Sequence, residues 1–411
     1  MILGAGVYQA PLIRRARQRG METLAVSPAG NYPGLALADR VIPLDTRDRE
    51  GILAAARREK ISAVATTGTD VALPALGAVA EGLGLPGVGL EAALRATDKI
   101  RMKEAFRRGG VPTSPFRTAA DLSEAREAAE EIGYPLMVKI PDQSGSRGIV
   151  KVENPAALPG AWDFCRRATR AEKLILEGFV AGEEFGVDAV VQGGRLRAVI
   201  PHEKRVHFSG RTGVPAGHLC PADYPAETLA VMERITAQAV AALGLDDCAV
   251  NLDAIRTPAG DISVLEAAGR CGGTGIPDML SAYLGLSWYD VILDLALGRP
   301  VQLPTPEEIR HLPRAALSRM IVSPRAGVLQ SISYEAEGHA CRDADYAGEG
   351  AWVSLNARPG DRVCAFDNGT ERLGQAVFAG AGRQEILAAE ADFLRSLRVE
   401  TEPAGEESAD R

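Results

Sequence analysis

At 411 residues, with 46% hydrophobic and 24% charged residues, the chain has room for about two to four domains and an ordinary globular composition. A formal charge of −8 without a lysine-rich face excludes nucleic-acid binding, and no apolar run reaches the ~18 residues of a membrane helix. The six cysteines are scattered with no C-x-x-C, which excludes zinc-site and disulfide-framework spacing. Together with an N-terminus lacking a basic n-region, this implies a soluble protein with reduced thiols in the cytoplasm.

Residues 1–10 read as a short strand and a Gly turn leading into a helix from Pro11 to Arg19, closed by Gly20. Thr23–Val26 and Arg40–Leu44 follow as strands, Asp48–Glu59 as a helix and Ile61–Thr66 as a strand. The loop Thr67–Asp70 precedes a helix over Val71–Leu83. This alternation predicts a parallel, doubly wound α/β domain over residues 1–95. Gly4 and Gly6 suggest a dinucleotide fingerprint. However, Gln9 stands where a third small residue belongs, and Val26 leads to Ser27-Pro28 rather than to an acid. A tight turn facing a small substrate is the better reading.

Leu90–Arg108 reads as one or two helices closed by Gly109-Gly110, and Asp121 with Glu124 reads as a capping box heading a helix that ends at Gly133. Leu136–Ile140, bounded by Pro135 and Pro141, is a short apolar strand with Lys139 inside it. A lysine so placed needs an anion to offset its desolvation. The following Ser144-Gly145-Ser146-Arg147-Gly148 offers backbone N–H groups with little side-chain bulk, which suits phosphate oxygens. The two together suggest a nucleoside triphosphate clamp; the competing reading is an exposed edge-strand lysine before a flexible loop. With strands at Ile149–Val152, Lys173–Glu177 and Phe185–Val191, a small helix-and-strand unit spans roughly 112–185.

Glu203–Gly217 reads as an irregular polar loop over a site, bringing His202, His207 and His218 near it, and Thr228–Leu243 as an amphipathic helix. Two alternating runs then flank the turn Thr257–Asp261. Centring the hairpin between Ala259 and Gly260 sets Asp253 directly opposite Glu266, with Cβ atoms about 4.5–5.5 Å apart. Carboxylates held so close need a cation between them or a proton on one. Oxygen-only ligands of this kind suit Mg²⁺ bridging to phosphates. A one-residue slip of register would instead send both acids to water. Arg270, in the Gly-rich loop beyond, is placed to stabilise charge on a transferring phosphoryl group or an acyl phosphate. Cys271 beside it reads as a small packing residue, since no base is paired with it.

Five segments in order resemble the ATP-grasp superfamily, and in particular its carboxylate–amine ligases. They are Thr97-Asp98-Lys99 with Met102; Lys139 with Ser144–Gly148; Leu176–Phe185; Asp253 with Glu266; and Arg270. The resemblance implies that Lys99 and Lys139 grip ATP while Ser144, Gly145 and Ser146 cover its phosphates. It further implies that Glu177, Phe179 and Val180 meet the adenine, Glu184 the ribose, and Asp253 and Glu266 the Mg²⁺ (or Mn²⁺), with Arg270 as the catalytic arginine. One departure is visible. Where many members read E-x-N-x-R, this chain has Ala268 in place of the asparagine, as members resembling L-amino-acid ligases often do. The same register sets Asn251 opposite Ala268, so Asn251 is expected at the second metal.

The resemblance implies an ATP-grasp domain over 96–300, with a lid at about 112–185, and a β-rich domain over 301–400. That last domain has strands at Ala315–Val322, Gly327–Leu329, Ala351–Leu355 and Arg372–Val377 and a helix at Glu385–Ser396. Pro304-Thr305-Pro306 reads as a linker and residues 401–411 as a disordered acidic tail. The implied activity is Mg-ATP-dependent ligation of a small carboxylic acid, plausibly an amino acid, to an amine, with a homodimer admissible. A carboxyphosphate-forming carboxylase and a non-catalytic nucleotide sensor are the alternatives.

Overall fold

In the computed structural model three short strands, Ile2–Leu3, Leu24–Val26 and Arg40–Ile42, pair in parallel in that order. The structure describes residues 1–142, 148–208, 213–335, 350–366, 369 and 371–403. It divides into two units: Met1–Lys204 with Pro221–Gly273 and Trp288–His311, and Arg205–Cys220 with Thr274–Ser287 and Leu312–Arg411. Among the described residues no helix is long and apolar enough to cross a membrane.

In the first unit, helix Ala10–Gln18 follows the first of these strands, and helices Arg49–Glu59 and Leu73–Leu83 follow the third. Ile61–Thr66, expected as a strand, gives one parallel bridge, Ile2 to Ala65, and Leu3 N donates to Ala65 O at 2.9 Å. The Thr66 hydroxyl then donates to Leu3 O at 2.7 Å, and no further strand pairing follows. Two helices, Leu90–Thr97 and Lys99–Arg108, meet at Asp98. The extended backbone of Asp98 ends the first. Its carboxylate accepts from Ile100 and Arg101 N–H at 2.8 and 3.0 Å and so starts the second.

A four-stranded antiparallel sheet follows in the order Phe116–Ala119, Leu174–Gly178, Leu136–Lys139, Ile149–Val152. Helices Leu122–Ile132 and Leu158–Ala168 bury Leu136, Val138, Leu174 and Trp162 against it. Asp121 caps the first of these as expected, but Glu124 accepts from Ala120 N–H (2.8 Å), one residue before the cap. The strand expected over Phe185–Val191 does not belong to this sheet. It is Glu183–Gln192, and it pairs with Arg195–Phe208 on one side and Cys248–Arg256 on the other. The segment read as a polar loop, Glu203–Gly217, is likewise strand over its described residues, in Arg195–Phe208 and Gly213–Cys220.

Cys248–Arg256 and Ile262–Ala268 form the acidic hairpin, and Asp253 faces Glu266 while Asn251 faces Ala268, as the turn-centred register required. The route to that register differs. Next to the turn the pairs are Arg256 with Ile262 and Ala254 with Val264, one residue out from the expectation. A β-bulge at Leu265 then restores the alignment for the acids.

In the second unit, Gly213–Cys220, Ala315–Val322, Arg372–Gly380 and Gly350–Leu355 form antiparallel pairs in that order. A smaller sheet joins Arg362–Val363, Gly327–Ser333 and Arg398–Glu402. Helix Arg383–Ser396 buries Ile386 and Phe393 with Leu317, Ala376 and Phe378. Thr401 and Glu402, assigned to the tail from sequence, close a strand; residues 404–411 lie outside the described residues. Thr305, read as linker, forms a capping box with Glu308 on the helix Pro306–Arg310.

Replacing Asp98 with alanine removes a side-chain cap, a loss of about 1 kcal/mol. The expected outcome is a lower urea midpoint for the purified protein with an unchanged m-value.

Candidate active site

The anion that offsets Lys139 comes from within the protein. Leu136–Lys139 and Leu174–Gly178 are neighbouring strands, and Lys139 Nζ lies 2.9 Å from Glu177 Oε2. Lys103, one turn beyond Lys99 on its helix, lies 3.1 Å from the same oxygen and donates to Thr113 Oγ1 at 2.6 Å. Ser114 Oγ donates to Glu177 Oε2 at 3.3 Å. Glu177 Oε1 is buried and has no hydrogen-bond partner among the described residues. Burial pushes the Glu177 carboxyl up, but Lys103 and Lys139 together outweigh it and hold it at about 2. Burial depresses the Lys103 ammonium, and Glu177 opposes that.

The acids on the hairpin are also engaged. Lys204, on the strand Arg195–Phe208, bridges Asp253 Oδ2 at 3.0 Å and Glu184 Oε2 at 3.3 Å, with its own side chain 5% exposed. Burial would lower the Lys204 ammonium, but Asp253 and then Glu184 raise it above its ordinary range. Lys99 Nζ stands 3.7 Å from Glu266 Oε2. Among the described residues no group of three or more His, Cys, Asp or Glu converges on one point.

Beside Glu266 and Lys99 lies a cavity of about 50 Å³, whose wall includes Asp70, Asn251 and Arg270. Arg270 Nη2 is 2.6 Å from Asp70 Oδ1. Its Nη1 donates to Asn251 Oδ1 at 3.1 Å and to Cys271 O at 3.2 Å. Burial works against the guanidinium charge, and Asp70 and then Glu266 more than restore it. Asn251 Nδ2 donates to Asp188 Oδ2 at 3.0 Å. Asp188, fully buried, also shares a 3.2 Å hydrogen bond with His202 Nε2 and accepts from Gly272 N–H at 3.1 Å. The Asn251 carbonyl expected at a second metal therefore faces Arg270. Burial pushes the Cys271 thiol up to about 12, so it is no nucleophile at neutral pH.

Lys99, Asn251, Glu266 and Arg270 thus line one cavity of the first unit, while Lys139 pairs with Glu177, and Glu184 and Asp253 share Lys204. Phe179 is exposed beneath the Lys151 ammonium, 3.9 Å from its ring centre, and Val180 is half-buried. Ser144, Gly145 and Ser146 lie outside the described residues. The histidines do not line the cavity: His202 is buried on Asp188, while in the second unit His218 meets Thr274 Oγ1 at 2.7 Å and His207 packs on Phe366. Lys103, Lys204 and Asp188 escaped the sequence reading. A visible signal was Lys103 four residues after Lys99, between Met102 and Phe106 on a face otherwise apolar.

Residues 104–276 match the ATP-grasp domain model. The chain carries an ATP-grasp domain. It is 30% identical over 190 residues to a formate-dependent phosphoribosylglycinamide formyltransferase from Rhodococcus jostii, covering 44% of this chain and 46% of that protein. It is 28% identical over 217 residues to a D-alanine–D-alanine ligase from Ectopseudomonas mendocina, covering 52% and 68% respectively. The chain thus spans about half the length of the formyltransferase relatives it matches. The crystal structure of an L-amino acid ligase from Bacillus licheniformis superposes with a TM-score of 0.78 at 20% identity, covering 98% of both chains. The ATP-grasp fold therefore extends the likeness beyond the matched domain.

Glu177→Gln leaves two ammonium groups around a neutral amide, and stability should fall by about 3–5 kcal/mol in urea titrations. For the parent protein the sign with pH follows from the depressed carboxyl. Its contribution is full above the ordinary value of 4.5 and is lost as pH falls toward about 2. Urea midpoints measured across that window should decline, and those of Glu177→Gln should decline less.

Proposed function

We propose that the protein is a Mg-ATP-dependent ligase that phosphorylates the carboxylate of a small acid and passes the acyl group to an amine. The observation that carries this is the face-to-face pair Asp253 and Glu266, ringed by Lys204, Lys99 and Arg270. Two hard carboxylates, with no third such ligand converging on them among the described residues, suit Mg²⁺, which would complete its shell with water and substrate phosphates. Bound between them, Mg²⁺ would offset phosphate charge during transfer.

The chain's own groups supply the rest. Lys139, fixed by Glu177 at 2.9 Å, and Lys99, fixed at the start of its helix by the Asp98 cap, would grip the ATP phosphates. The Lys103–Glu177–Lys139 cluster carries one surplus positive charge, which a phosphate would offset. Glu177 Oε1 has acceptor capacity left for the exocyclic amine of adenine, the backbone near Val180 would meet the same base, and Glu184 would take the ribose hydroxyls. Ser144, Gly145 and Ser146 would cover the phosphates and exclude water, to which an acyl phosphate is vulnerable. Arg270 would hold the substrate carboxylate and then the acyl phosphate. Asn251 would orient Arg270 unless a second metal draws its carbonyl away.

ADP release from purified protein with Mg-ATP, measured against amino acids singly and in pairs, tests the proposal. Stimulation by an acid–amine pair, abolished by EDTA, is expected; no stimulation by any carboxylate would overturn it. Bicarbonate alone should not stimulate, which separates a ligase from a carboxyphosphate-forming carboxylase. Arg270→Ala should lower kcat about 10²–10³-fold, with ATP affinity retained in equilibrium binding.

A further inference from the structure

The ligase reading leaves unexplained why Arg270, the group meant to receive an anion, is already paired with one. Asp70 belongs to the loop Thr67–Asp70 ahead of the helix Leu73–Leu83. Its Oδ1 approaches Arg270 Nη2 to 2.6 Å without hydrogen-bond alignment, so the contact is one of charge. The loop is held from two sides. Gln9 Nε2 donates to Thr67 O at 2.5 Å, and Gly68 N donates to Cys271 O at 3.4 Å. Gly68 has φ +64°, and a Cβ there would come within 2.7 Å of Tyr8, so the loop can take this path only without a side chain at that point. Asp70 is therefore presented to the cavity by a braced turn.

A carboxylate that binds Arg270 in this cavity meets Asp70 on the same guanidinium, and like charges so close repel. An acid that brings its own ammonium removes the conflict, because its carboxylate faces Arg270 while its ammonium faces Asp70. Asp70, Glu266 and Asp142 line the cavity against Lys99 and Arg270, an acidic balance that a zwitterion tolerates better than an anion does. Glu266 is committed to the metal in the reading above, and Asp142 accepts from Thr169 at 2.9 Å, which leaves Asp70 for the substrate. Resting on the ligase reading, we propose that Asp70 recognises the ammonium of the acid substrate, so that the carboxylate activated is that of an α-amino acid and not a simple carboxylic acid.

The test measures kcat and KM for ADP release with α-amino acids, each matched to the same acid lacking its amino group, such as alanine with propionate and phenylalanine with 3-phenylpropionate. The parent protein should favour the amino acid of each active pair about tenfold or more in kcat/KM. The isosteric Asp70→Asn should erase most of that preference by raising KM for the amino acid while leaving the des-amino acid as good or better. Equal use of both members by the parent protein would overturn the inference and leave the ligase reading standing. So would an Asp70→Asn protein slowed equally on both, which would make Asp70 a positioning residue for Arg270. No turnover with any acid would sink the ligase reading, and this inference with it.

Discussion

One carboxylate oxygen, Oε2 of Glu177, carries two ammonium groups at 2.9 and 3.1 Å in a nearly dry interior. Either lysine buried alone would face a desolvation penalty of several kcal/mol. The shared acid makes both tolerable and ties three elements together: the helix carrying Lys99, the strand ending at Lys139 and the strand ending near Glu177. That contact sits where the proposed phosphate grip meets the four-stranded sheet.

The same economy of charge runs through the rest of the first unit. Lys204 sits between Glu184 and Asp253, Lys99 beside Glu266, and Arg270 between Asp70 and the Asn251 carbonyl. Asp188 accepts three hydrogen bonds behind Arg270, from Asn251, His202 and a backbone N–H, so the asparagine amide has one orientation. The pairing gives each group of the set a charged or hydrogen-bonding neighbour that fixes its position.

Much of this architecture was legible from local chemistry. Asp121 announces a helix start that the structure shows, and Pro258-Ala259-Gly260 marks the turn of the hairpin on which the two acids pair. Charged contacts distant in sequence were not legible. Lys204 was placed in a loop because the inward face of its strand, His202 and Lys204, is polar, and a strand lining a site loses the apolar alternation by which strands are recognised. Asp70 and Arg270 meet across two hundred residues, and no periodicity reports such a pair. The strand over Ile61–Thr66 failed for the opposite reason: its residues suit a sheet, but backbone pairing stops after Ala65.

The bulge at Leu265 separates the turn of the acidic hairpin from the acids themselves. The extra residue absorbs a one-position discrepancy before Glu266 is reached, and residues 258–261 at the tip are exposed. The tip is therefore the place at which to exchange one loop for another or insert a reporter peptide, with the bulge available to take up a change of register ahead of the two carboxylates.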